Sequence, residues 1–292
     1  MSLLTPRREP VDRPAPSAVE LERRAYRRRA QIRSVVVGTA STLAFAGAVV
    51  LALRLSPGWE DVKSSFFDVS IGLDALPAIL DGLWLNIRVL VVATVAVAIV
   101  GSALALARTL RGPVFAPVRL AAAAYTDIFR GMPLLIVLYL VGFGVPGLNL
   151  FGRVPAEVWG TVAITLTYSS YVAEVLRAGI EAVHPSQRLA ARSLGLSHGR
   201  TMRLVVLPQA VRKVTPALMN DFVSMQKDVG LISILGAVDA IRSAQRVVTD
   251  TYNFTPYVVA GLVFVALSWP LIRVSDWLSA RARAREQIGG AV

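Results

Sequence analysis

Uncharged apolar runs recur along the chain, separated by clusters of charge. Residues 34–53, 89–107, 132–150, 158–173 and 257–272 contain no Asp, Glu, Lys or Arg. A membrane-crossing helix needs about 20 mostly apolar residues, so these runs predict five spans. The second run has an amphipathic start at 83–88. The third is expected to stop early, at Pro146. The fourth extends to about Ala178, with Glu174 and Arg177 on its last turn. A sixth segment, 214–238, is apolar but holds Asn220, Asp221, Lys227 and Asp228. Ionisable groups inside a membrane are costly unless a partner or a pathway holds them. The segment therefore reads as a span lining a polar cavity, with an interfacial helix as the alternative. Neighbouring positions invite pairing, Lys227 with Asp228 and Glu174 with Arg177.

The stretches between the runs predict the organisation. Residues 1–33 form a tail, Pro-rich and disordered at first and then basic. An added N-terminal helix covers 34–53. A polar linker over 54–82 contains Pro57, Gly58 and Pro77. The main membrane domain covers 83–276, and a C-terminal tail covers 277–292. Within the domain, 108–130 mixes Pro and Arg with an alanine run, as an interfacial helix entering the third span would. Residues 239–250 predict a short amphipathic helix. The fold class is all-α, a polytopic membrane protein with six helices.

Composition supports this reading. Of 292 residues, 54% are hydrophobic and only 17% charged, which excludes an ordinary soluble domain and a disordered chain. Cysteine is absent, and the two histidines, His184 and His198, leave little for a metal site. The net charge of +12 could suggest nucleic acid, but its distribution argues otherwise. With both termini placed inside, 24 of the 31 Lys and Arg fall on the inner side and five on the outer. Arg88 and Lys227 lie within spans. That asymmetry predicts a multi-pass membrane protein with six spans and both ends cytoplasmic.

The inner loop 181–208, EAVHPSQRLAARSLGLSHGRTMRLVVLP, has the grammar of two short helices. Pro185 or Ser186 starts the first. Ala190 and Ala191 offer a close-approach surface, and Gly195 suits a left-handed stop. Ser197 caps the next turn, and Pro208 marks a bend toward the fifth span. An ordered helix presented to the cytoplasm is a candidate docking element.

This loop resembles the signature of permease subunits of ATP-binding-cassette importers, EAA-x3-G-x9-I-x-L-P. The matching positions are Ala190, Ala191, Gly195, Val205, Leu207 and Pro208. The likeness runs over about 83–273 and is nearest to the polar amino-acid branch, in particular to actinobacterial glutamate permease subunits. FRGMPLL at 129–135, YVAEVLRAGI at 171–180 and LPQAVRKVTPALMNDFVSMQKD at 207–228 carry it. The resemblance implies a five-helix type I importer core working by alternating access. It implies ATPase subunits as partners, a second permease subunit of the same or another chain, and an extracytoplasmic solute-binding protein. Residues Ser186, Leu189, Ala190, Ala191, Gly195 and Leu196 would couple to the ATPase. Leu189 departs from the family's usual glutamate. With Ser186 as N-cap it would stand at N3, and leucine there forgoes a capping box worth about 1 kcal/mol.

None of the three lysines follows a glycine, so the chain lacks a phosphate-binding G-x4-G-K-[ST] loop. ATP and Mg are thus expected on a partner, with no cofactor on this chain and no enzymatic activity of its own. The alternative is a secondary transporter or channel acting without an ATPase, but no internal repeat is evident. Candidate solute-pathway residues are Arg88, Glu174, Asn220, Asp221, Lys227 and Asp228. An arginine fork holds carboxylates bidentately, so Arg88 suggests glutamate or a related polar amino acid.

Overall fold

The computed structural model describes residues 17–110 and 112–289. Residues 1–16 and 290–292, the ends of the two expected tails, lie outside the described residues, as does Arg111. The described residues are helical, with no strand among them. The chain divides into two compact units, Met1–Val62 and Lys63–Val292.

The first unit is dominated by α1, Ala18–Arg54, 37 residues with none buried. At about 1.5 Å per residue it is roughly 55 Å long. The expected break between a basic tail and an apolar helix is absent, because the helix begins at Ala18. Ser17 caps it, its side chain accepting from Glu20 N at 3.3 Å. Glu20 then pairs with Arg24 one turn on, at 3.0 Å. The Glu, Leu, Arg and Ala of this stretch are good helix formers.

The linker expected over 54–82 is also largely helical. Helix α2, Trp59–Phe66, is followed by α3, Val69–Thr109. Asp68 caps α3, accepting from Ser70 N and Ile71 N at 3.0 and 3.1 Å. Pro77 lies inside the helix without ending it. Ala75 and Ile79 on either side are buried with Ala240, Ala244 and Ala260, so packing holds the turn that proline weakens.

A short 3-10 turn, Pro113–Phe115, leads into α4, Ala116–Gly131. The chain then bends by 107° into α5, Leu134–Tyr139, and α6, Val145–Gly147, joined by a π-type turn over 140–144. The turn at Pro133 thus separates the expected interfacial helix from the third span, which ends just after Pro146. Helix α7, Ala156–Glu181, follows. Beyond the inner loop come α10, Leu207–Asp228, a 3-10 segment over 229–235, α11, Ala240–Thr251, and α12, Thr255–Gly289.

In the second unit α3 packs on α7, α11, α12 and α4, and α7 packs on α10. The largest core joins Val89, Leu90 and Ala93 of α3 to Ile164 of α7 and to Met225 and Ile232. Two glycines let α7 approach its neighbours closely, Gly160 at this core and Gly179 nearer the end of the helix. A Cβ on Gly160 would strike the Ile232 side chain, and one on Gly179 would strike Val214.

Among the described residues, α1, the run 59–109 and the first part of α12 are long and apolar enough to cross a membrane, and the bent pair over 113–147 makes a fourth. Helices α7 and α10, with 26 and 22 residues, have the length but carry polar side chains. The arrangement is compatible with the six expected spans.

Candidate coupling loop and Asp221 cavity

The loop over 181–208 forms α8, Pro185–Ser193, and a short α9, His198–Thr201. His184, not Ser186, is the N-cap, its Nδ1 accepting from Ser186 N at 3.2 Å. Pro185 takes the first helical position, where its missing N–H costs nothing. Ser186 is therefore N2 and Gln187 is N3. The capping-box argument for Leu189 falls away, because that residue lies beyond the first turn.

Gly195 ends α8 as expected, with φ +80°. Its N–H donates to Arg192 O at 2.9 Å, and Leu196 N–H donates to Ala191 O at 3.2 Å. These two bonds make a Schellman turn, whose left-handed residue favours glycine. Ala191 is buried, Ala190 is exposed and Leu189 is 65% exposed. Ser197 caps α9, its Oγ lying 3.5 Å from Arg200 N.

The chain stays helical through Pro208. The backbone widens to a π-type turn over 202–206 and continues into α10. Widening makes room for the proline ring, which would clash with the turn before it. The C-terminus of α7 is tied to this loop. Arg188 donates to the Ile180 carbonyl, and Lys213 Nζ donates to Ala182 O at 2.8 Å.

Glu174 lies where three helices meet. It accepts from Arg108 of α3 at 2.7 Å and is paired with Arg177. Arg130, at the end of α4, approaches it to 3.8 Å. Arg177 also reaches Glu181 at 2.5 Å. The local Glu174–Arg177 pair is thus present, and around it one carboxylate joins the ends of three helices.

The expected Lys227–Asp228 pair does not form. Adjacent residues on a helix point in different directions. Asp228 instead accepts from Tyr168 OH at 2.7 Å, while Lys227 is exposed. Asn220, Ser224 and Lys227 share one exposed face of α10. Asp221 turns inward and lines a cavity of about 290 Å³ between α3, α7 and α10. Thr94, Ser102 and Tyr168 supply further polar groups to its wall. Asp221 Oδ2 is buried without a hydrogen-bond partner. Arg88 is exposed and does not line this cavity.

Three polar residues were missed from the sequence. Asn86, 1% exposed, donates to Val229 O at 3.2 Å and to Asp239 Oδ2 at 3.0 Å, and accepts from Ala240 N at 3.1 Å. Asp239 also caps α11, accepting from Arg242 N at 2.8 Å. Gln226, fully buried, accepts from Ser268 Oγ at 2.5 Å. A polar residue at the amphipathic edge of an apolar run was the available signal for Asn86.

Residues 112–284 match the family described as binding-protein-dependent transport system inner membrane component. The chain is 34% identical over 202 residues to the arginine transport system permease protein ArtQ of Bacillus subtilis strain 168, covering 68% of this chain and 90% of that protein. It is 32% identical over 222 residues to the glutamate/aspartate import permease protein GltK of Escherichia coli O157:H7, covering 74% and 98%. Among solved structures, that of an amino acid ABC transporter with histidines aligns with a TM-score of 0.67 at 32% identity, covering 73% of this chain and 98% of that one.

Proposed function

The chain belongs to the family of inner membrane components of binding-protein-dependent transport systems, and from that premise we propose how this amino-acid importer permease handles its solute. It is a multi-pass membrane subunit, and ATP hydrolysis resides on a partner ATPase. The importer works with that ATPase, a solute-binding protein and a second permease subunit. Both termini of this chain face the cytoplasm, and the chain itself holds no cofactor. The solute is glutamate or a related polar amino acid, in keeping with relatives named for glutamate/aspartate, glutamine and arginine.

The observation that carries the pathway is Asp221, whose Oδ2 is buried and unpartnered at the wall of a largely apolar cavity. An unmet carboxylate in a low-dielectric recess favours a cation. Every free amino acid brings an ammonium group. Asp221 receives that group, with Tyr168, Thr94 and Ser102 as hydroxyl neighbours. Arg88 and the exposed Asn220 and Lys227 face the second subunit or the open pathway, where Arg88 meets a solute carboxylate.

Coupling runs through the inner loop. Helix α8, with Ser186, Leu189, Ala190, Ala191, Gly195 and Leu196 in or beside it, docks on the ATPase. Its ties to the end of α7 pass motion to Glu174 and so to the ends of α3 and α4. Rigid helices joined at such a junction move together, as alternating access requires.

Uptake by the full importer in proteoliposomes tests the solute reading. With Asp221→Asn, uptake at limiting solute is expected to fall at least tenfold while basal ATPase activity persists. With Arg88→Gln, uptake of glutamate is expected to fall more than uptake of a neutral amino acid. Parental uptake by Asp221→Asn refutes the ammonium site.

A further inference from the structure

A recess of about 350 Å³ opens between the end of α7, α8 and α9, on the cytoplasmic loop. Its charged wall is Arg188, Arg192 and Glu181, with His198 beside them. The single acid is already committed, since Glu181 Oε1 accepts from Arg177. Arg188 gives one terminal N–H to the Ile180 carbonyl, but its Nε is buried without a partner. Arg192 is exposed and enters no salt bridge among the described residues. A guanidinium carries five N–H donors, so this recess holds far more donors than acceptors. Two bare apolar side chains stand on the same loop, Leu189 at 65% and Leu194 at 83% exposure.

We propose that a carboxylate side chain of the ATPase subunit seats in this recess between Arg188 and Arg192. The docking contact then has its acid on the ATPase and its base on the permease. This rests on the docking reading above and names the partner group of that same loop. A planar carboxylate pairs with guanidinium groups through charge-assisted hydrogen bonds. The Nε of Arg188 is buried, so its terminal nitrogens and those of the exposed Arg192 make the contact. Leu189 and Leu194 supply apolar surface beside the charge pair, as a docking contact that excludes water requires. A membrane surface fits less well, because a nine-residue helix with one leucine has too little apolar face to lie in headgroups.

The test uses the complete importer in nanodiscs of neutral phosphatidylcholine. Arg192→Lys keeps the charge and places an amine at this position, beside only three native lysines, Lys63, Lys213 and Lys227. A zero-length carbodiimide joins an amine to a touching carboxylate. Mass spectrometry is expected to find the peptide carrying position 192 joined to an Asp or Glu of the ATPase. Arg192→Glu is expected to weaken ATPase association at least tenfold. Arg192→Gln should weaken it less than the reversal does, and the difference should shrink in high salt.

Parental ATPase association by Arg192→Glu overturns the proposal, as does absence of the cross-link while the ATPase stays bound. If association is weak in phosphatidylcholine and is restored only by anionic lipid, the recess takes a headgroup and the proposal fails. If the unmodified chain retains no ATPase at all, the docking reading itself is wrong, a result distinct from the others.

Discussion

Replacing Asn86 by leucine isolates one buried polar node in an otherwise apolar region. Asn86 makes three hydrogen bonds, to Val229 O, Asp239 Oδ2 and Ala240 N. Together they fasten α3 to the start of α11. Leucine keeps the branched skeleton and leaves no cavity, but it is bulkier than asparagine, so any overpacking adds to the loss. Interhelical hydrogen bonds in membrane proteins average about 0.6 kcal/mol each, which gives roughly 2 kcal/mol for the three. The substitution also leaves Ala240 N and one oxygen of the buried Asp239 unmet, adding about 1–3 kcal/mol. The expected loss is therefore about 3–5 kcal/mol. A domain of this size loses about 2–4 °C in Tm per kcal/mol, so thermal unfolding of the purified complex in detergent should drop by about 6 °C or more. A shift under about 2 °C would show that the node contributes no more than ordinary packing and would refute the reasoning.

Gly195→Val should cut uptake while leaving the protein at normal levels in the membrane. Nothing lies within 4 Å of the added Cβ, so the cost is conformational, about 1–2 kcal/mol for a β-branched residue at φ +80°. Full uptake at parental expression would remove the Schellman turn from the coupling mechanism. The native chain lacks cysteine, so single cysteines report topology cleanly. In intact cells Ser56→Cys should react with an impermeant thiol reagent and Ser193→Cys should not. The reverse pattern would invert the orientation.

The apolar runs made most of the helices legible, since a long uncharged stretch has few alternatives to a helix. Boundaries were harder. The basic segment before residue 34 and the linker over 54–82 read as irregular because Pro, Gly and charge dominate them. Capping by Ser17 and Asp68 and burial around Pro77 make both largely helical. In the inner loop, Gly195 and Ser197 could be read directly, because a left-handed stop and an N-cap depend on local chemistry. The cap at His184 could not be read so easily, since histidine is a rare N-cap and Ser186 stood close by. Asp221 was visible as an acid in an apolar segment. Its inward turn, and the separation of Lys227 from Asp228, depend on which neighbours α10 packs against.

The two glycines of α7 have a consequence for how such a protein can change. Gly160 receives Ile232, and Gly179 receives Val214. Each pair is one volume shared between two positions distant in the chain. A methyl group gained on one side must be given up on the other. Divergence at these sites should therefore proceed in couples, with the large member shrinking before or together with the growth of the glycine. Each pair acts as a ratchet. Once the glycine has been filled, the bulky residue opposite cannot return, and the helix spacing it allowed is lost with it.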